Sequence, residues 1–165
     1  MTLVSIIAMA GMPLSPAPFL APQSPAAVAS AALAPASLAG KTISFDYSSA
    51  TCHLSCDGGE TWRVDTESSD VSYQLSAKPN KKKGVSSEFG DGKLLATCIS
   101  GNDKTPTSYT YTKTGQRIAT LVFPGYEWEN VYTLHFQTAT SGIAICTGSA
   151  EADSWRQTNI KFTIK

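Results

Sequence analysis

Four cysteines and two histidines are the side chains here with the widest chemical range. Three of the six fall within five positions, Cys52-His53-Leu54-Ser55-Cys56. Two thiols and an imidazole are borderline-soft metal ligands, and Cys98 would complete a tetrahedral zinc set. The spacing is not that of a Cys-x-x-Cys knuckle. An even number of cysteines in an exported chain reads first as a disulfide framework. We therefore expect Cys52, Cys56, Cys98 and Cys146 to form two disulfides, with no metal and no other cofactor. Four cysteines allow three pairings. Strand parity favours Cys52–Cys56 with Cys98–Cys146, since it puts the first two in the connection after strand one and the last two at the opposite end. A bulge or a miscounted strand would reverse that argument.

His135 is the other imidazole. It lies between Leu134 and Phe136, opposite the apolar row, as an ordinary outward strand residue would. If that row instead faced a partner, His135 would line an interior and could serve as a general base. The chain has no Gly-x-Ser-x-Gly elbow, no glycine-rich phosphate loop and no calcium loop. Asp57, Glu60, Glu127, Glu129, Glu151 and Asp153 scatter over expected strand ends and single out no glycosidase pair. No catalytic residue is nominated. Tyr126-Glu127-Trp128-Glu129 follows Phe123-Pro124-Gly125 and stands outside the strand alternation. Exposed aromatics beside carboxylates suit a carbohydrate, peptide or cationic ligand; alternatively Trp128 caps a barrel mouth. The candidate ligand-binding set is Tyr109, Tyr111, Tyr126, Trp128 and His135.

These residues need elements to hold them, and the pattern is alternation of period two. Ile43, Phe45 and Tyr47 alternate with polar residues. So do Trp62 and Val64, then Val71, Tyr73, Leu75 and Ala77, then Tyr109 and Tyr111. Ala119, Leu121 and Phe123 follow, then Tyr132, Leu134 and Phe136. Residues 94–99 and the pair Ile143/Ile145 read as short strands, and Ile160, Phe162 and Ile164 close the chain. Asp57-Gly58-Gly59, Lys83-Gly84, Gly90-Asp91-Gly92, Thr114-Gly115 and Ser141-Gly142 supply turn chemistry between them. The run Lys81-Lys82-Lys83 reads as a solvated turn. Eight or nine short strands joined by tight turns form an antiparallel meander. Barrel and sandwich both bury such strands; sequential hairpins close most simply into an all-β barrel.

Composition breaks sharply at Lys41. Residues 1–40 contain no charged residue and no His, Trp, Tyr or Cys, and are mostly Ala, Pro, Leu and Ser. The apolar run 3–10 is too short to span a membrane, which takes ~20 residues. Ala8-Met9-Ala10, Ala27-Val28-Ala29, Ala29-Ser30-Ala31 and Ala32-Leu33-Ala34 are small-residue cleavage patterns. No positive charge precedes the run, so a disordered Pro/Ala tether is the alternative. The expected organisation is a signal peptide or leader, disordered or helical, over 1–40 and a single β-barrel domain over 41–165, secreted or periplasmic. Thirteen basic and thirteen acidic residues balance, leaving no field to attract nucleic acid.

Four stretches resemble a known pattern: 38–45 (LAGKTISF), 108–123 (SYTYTKTGQRIATLVF), 132–142 (YTLHFQTATSG) and 160–165 (IKFTIK). They are similar to bacterial exported β-domains of the MoaF-like, calycin-type small barrels. The resemblance covers 38–47 and about 105–165; residues 50–100, with three of the cysteines, depart from it. It implies a lipocalin-like or calycin-like barrel and export, and carries over no catalytic residue. The expected function is a binding module for an unknown small molecule or surface partner, in or at the barrel mouth, and not an enzyme. A small-barrel enzyme using His135 or loop carboxylates, and a structural or adhesive surface module, are the alternatives.

Overall fold

The computed structural model describes residues 33–65, 69–80, 92–100, 104, 106–125 and 127–165. Most of the leader, the Lys81-Lys82-Lys83 turn and Tyr126 lie outside these residues. Eleven strands and no helix occur among the described residues. They are β1 (Thr42–Asp46), β2 (Thr51–Ser55), β3 (Arg63–Asp65), β4 (Val71–Leu75), β5 (Leu95–Cys98) and β6 (Pro106–Ser108). β7 (Thr110–Lys113), β8 (Ile118–Pro124), β9 (Trp128–Thr138), β10 (Ser141–Ala150) and β11 (Asp153–Ile164) complete the set. No described helix is long and apolar enough to cross a membrane.

Nine strands form one antiparallel sheet in the order β6-β5-β4-β1-β11-β10-β9-β8-β7. The sheet turns through 290° about an axis, so the barrel is nearly closed. Its two edge strands, β6 and β7, are separated in the chain by Tyr109 alone. The seam is thus tied covalently, and Thr107 Oγ1 donates across it to Pro124 O at 3.3 Å. β1 and β2 both run antiparallel to β11, with Ile43 opposite Ile164 and Cys52 opposite Gln157. They are two halves of one long strand, interrupted by an excursion at 47–50 that Ala50 N closes onto Tyr47 O at 2.9 Å. Opposite it, Asn159 has φ 58°. β3 and β4 pair with β2 and β1 respectively. Counted this way the barrel is an eight-strand up-and-down meander, as the alternation implies.

Alternation places Ile43, Phe45, Leu121, Phe123, Leu134, Phe136, Ile160 and Phe162 inside. An eight-strand barrel is just wide enough for side chains to fill it. Rings stack through the middle: Tyr73 on Phe123 at 4.6 Å and Phe45 on Tyr132 at 4.3 Å between centroids. Ile143 and Ile145 lie on a strand, as expected, but are only half-buried; the inward row of β10 is Gly142, Ala144 and Cys146. Small residues let β10 approach the aromatic interior. One expectation is corrected here: Gly142 is not a turn residue, for the turn is 139–140. An added Cβ at Gly142 would lie 2.0 Å from His135 O, beside a register shift.

The packed unit, Ala31–Lys165, begins upstream of the compositional break at Lys41. Ala34 and Leu38 belong to the core. Ala34 N donates to Gln116 O at 2.8 Å, Tyr111 Oη to Pro35 O at 2.8 Å, and Gly40 N to Leu75 O at 3.1 Å. Segment 33–40 therefore plugs the barrel end where β1 starts and β11 stops. Gly40, at φ 76°, makes the turn from plug to strand; glycine takes that angle without a Cβ penalty.

Candidate functional site: the open mouth of the barrel

The opposite end holds a pocket of about 230 Å3, lined by Tyr47, Ser69, Val71, Tyr73, Asn130, Tyr132, Trp155 and Gln157. The polar groups come from β4, β9 and β11 and from the connections at Tyr47 and Ser69. Asn130 shares the inward phase of Tyr132, Leu134 and Phe136 on β9. Trp155 and Gln157 come from the first half of β11, before the irregularity at Asn159. Tyr47 stands at the start of the excursion, where Asp70 Oδ1 accepts from its backbone N–H at 2.9 Å.

The walls are cross-braced. Tyr47 and Tyr132 hydroxyls lie 3.0 Å apart. Trp155 Nε1 donates to Asn130 Oδ1 at 2.7 Å. The Trp155 ring lies against Gly148, its cross-strand partner, where an added Cβ would come within 2.3 Å. Cys146 Sγ, fully buried, reaches Asn130 Oδ1 at 3.6 Å, and Gln157 Nε2 reaches Cys52 Sγ at 3.6 Å. Burial pushes the Tyr73 hydroxyl and the Cys146 thiol each up to about 12, and raises Tyr47 and Tyr132 as well. The wall is therefore uncharged at neutral pH.

Of the residues expected to bind ligand, Tyr126 lies outside the described residues, and none of the others lines this pocket. His135 is exposed on the outer face, opposite Ile118 and Ile143 on the neighbouring strands. It lies away from the pocket. Tyr109 and Tyr111 brace the plugged end, their hydroxyls donating to Ser76 O at 3.1 Å and Pro35 O at 2.8 Å. A second depression of about 380 Å3, between Lys93 and Pro124, is lined by these two tyrosines; their hydroxyls are already engaged. Trp128 is partly exposed and packs on Gly125.

None of the four cysteines is disulfide-bonded. Cys52 and Cys56 sit four residues apart along an extended strand and the bend after it, about 13 Å at ~3.3 Å per residue, beyond the ~7 Å that a disulfide spans. Cys98 and Cys146 stand on β5 and β10, with β4, β1 and β11 between them. Parity misplaced Cys52, because strand one does not end at 46 but continues as β2. Cys52 and Cys146 instead share one row, flanking Gln157. Alternation also turns His53 away from buried Cys52, so the Cys52-His53-x-x-Cys56 run does not converge on one point.

A third depression, of about 240 Å3, lies by Cys56, Asp57 and Trp62. Its carboxylate is committed to the loop: Asp57 accepts from Ser55 Oγ, from Thr61 N at 2.9 Å and from Thr61 Oγ1. These bonds hold its carboxyl below the usual range.

The sequence alone did not single out Asn130 or Gln157, and it offered Tyr47, Tyr73, Tyr132 and Trp155 as core aromatics; Tyr47 and Tyr132 do belong to the core, with Tyr73 and Trp155 packed against it. A polar residue in phase with an inward row was the available signal for Asn130. Comparison with known protein families, curated proteins and solved structures finds no match to this chain.

Proposed function

We propose that this protein is a non-catalytic binding module that takes a small ligand at the open mouth of its barrel. The observation that carries this reading is the inward-facing polar cluster of Tyr73, Asn130 and Gln157 over a filled interior. Buried polar groups normally find partners, and convergent ones in an aromatic pocket are the usual mark of a ligand site. The plug at the other end leaves the mouth as the side of access. The eight-strand up-and-down order supports kinship with calycin-type barrels, in keeping with the resemblance at 38–47 and 105–165. Export is supported by the composition of residues 1–40; the thiol state of the cysteines adds nothing to it.

The filled interior also favours a second reading, a structural surface module with no ligand. A small-molecule library screened by nuclear magnetic resonance on the full chain separates the two. Ligand-dependent shifts clustered at Tyr73, Asn130, Trp155 and Gln157 are expected. A library that perturbs other surfaces only would replace the binding reading with the structural one.

A further inference from the structure

The mouth has more hydrogen-bonding capacity than its own walls use. Asn130 Oδ1 accepts from Trp155, which leaves the two amide protons on Nδ2 without a partner among the described residues. Gln157 spends Nε2 on the Cys52 sulfur, leaving Oε1 as an acceptor. The Tyr73 hydroxyl has no hydrogen bond to another described residue. Donors and acceptors are thus both offered, from three strands, around the aromatic surfaces of Trp155 and Tyr73. The described lining contains no Asp, Glu, Lys, Arg or His.

Three ligand classes meet this wall differently. An ion would lose its water without gaining a countercharge from the described lining, which is costly in a partly enclosed site. A hydrocarbon ring would cover the Asn130 amide protons, Gln157 Oε1 and the Tyr73 hydroxyl without pairing any of them. A neutral ring bearing several hydroxyls can pair with donors and acceptors alike while its C–H face packs on an aromatic ring. Size agrees: about 230 Å3 lies below the ~300–1,000 Å3 of clefts for drug-sized ligands and suits roughly one ring.

We propose that the mouth binds a single neutral, hydroxyl-rich ring, such as an uncharged sugar unit. This rests on the mouth being the ligand site. Asn130 and Gln157 supply the directional hydrogen bonds, Tyr73 a third, and Trp155 the packing surface.

The test titrates isotope-labelled full chain with neutral hexoses and pentoses, with a uronic acid and an amino sugar of the same ring, and with toluene. An oligosaccharide ending in the best sugar forms a further arm. Neutral sugars are expected to shift the side-chain amide signals of Asn130 and Gln157 and the Trp155 indole signal. Tyr73→Phe and Gln157→Leu should each weaken that binding about five- to tenfold, Tyr73→Phe without moving the thermal midpoint. Tighter binding of the oligosaccharide identifies the end of a glycan as the source; equal binding identifies the free sugar. Shifts at the mouth with only the charged sugars or only toluene overturn the ligand class and leave the mouth as the site. No shift at the mouth with any compound overturns both.

Discussion

Tyr47 and Tyr132, 85 residues apart in the chain, meet hydroxyl to hydroxyl at 3.0 Å at the rim of the barrel. One stands at the break in a long strand and the other in the middle of β9, so the bond fixes the excursion to the opposite wall. Tyr132→Phe would leave the buried Tyr47 hydroxyl unpaired and should cost ~1–3 kcal/mol. Replacing both by Phe should cost less than the sum of the single changes. Urea denaturation of the four proteins measures the coupling, and strict additivity would mean that the two hydroxyls do not depend on each other.

The plug should be part of the folding unit. Leu38 is fully buried, so Leu38→Ala should cost ~2–5 kcal/mol. A chain starting at Ala31 should unfold at the same denaturant midpoint as the full protein, and one starting at Lys41 at a clearly lower one. Equal midpoints for both would remove the plug from the core. If the protein is exported, N-terminal sequencing should find a start upstream of Ala34, since cleavage after that residue would strip away part of the plug.

Gly148 accommodates the Trp155 ring. Gly148→Ala puts a Cβ about 2.3 Å from ring atoms, so the ring must move off Asn130. We expect a loss of ~1–3 kcal/mol and a displaced Trp155 indole N–H resonance. An unmoved resonance would show that the ring has room after all.

Alkali should unfold the protein abruptly. Tyr47, Tyr73 and Tyr132 have hydroxyls raised above their unfolded value of about 10, with Tyr73 at about 12. A raised group contributes stability that is fully present below the unfolded value and is lost as pH rises through the folded one. Denaturant midpoints should hold up to about pH 10 and then fall towards pH 12, with tyrosinate absorbance appearing together with unfolding. Gradual ionisation of all six tyrosines near pH 10 in folded protein would contradict this.

Thiol chemistry should follow exposure. Cys56 is exposed, while Cys52 and Cys146 are buried. Cys56 should alkylate first in native protein, slowed by the Asp153 carboxylate that raises its thiol. Cys52 and Cys146 should react only on unfolding. Mass analysis in denaturant without reductant should count four alkylations; none would restore the two-disulfide scheme.

The sheet was legible because its signal is local. Ile43/Phe45, Leu121/Phe123, Leu134/Phe136 and Ile160/Phe162 alternate in phase with their own pleats, so which side faces inward needs no knowledge of the partner strand. The mouth was not legible, because its phase changes along a strand. Trp155 and Gln157 are inward before Asn159, whereas Ile160 and Phe162 are inward after it, so the parity of the well-marked half points the wrong way for the other. β2 was hidden for the same reason: a four-residue excursion separates it from β1, and only pairing with β11 rejoins them.

By itself the sequence determined an antiparallel all-β chain of about eight strands, an interior row for most of them, and a compositional break at Lys41. Those follow from side-chain period and turn chemistry within a few residues. Only the tertiary structure decided that 33–40 fills one end, that Cys52 and Cys146 flank Gln157 rather than forming disulfides, and that Tyr73, Asn130 and Gln157 converge. Each of these depends on register between strands far apart in the chain. One bulge shifts that register by a residue and exchanges the two faces of everything beyond it.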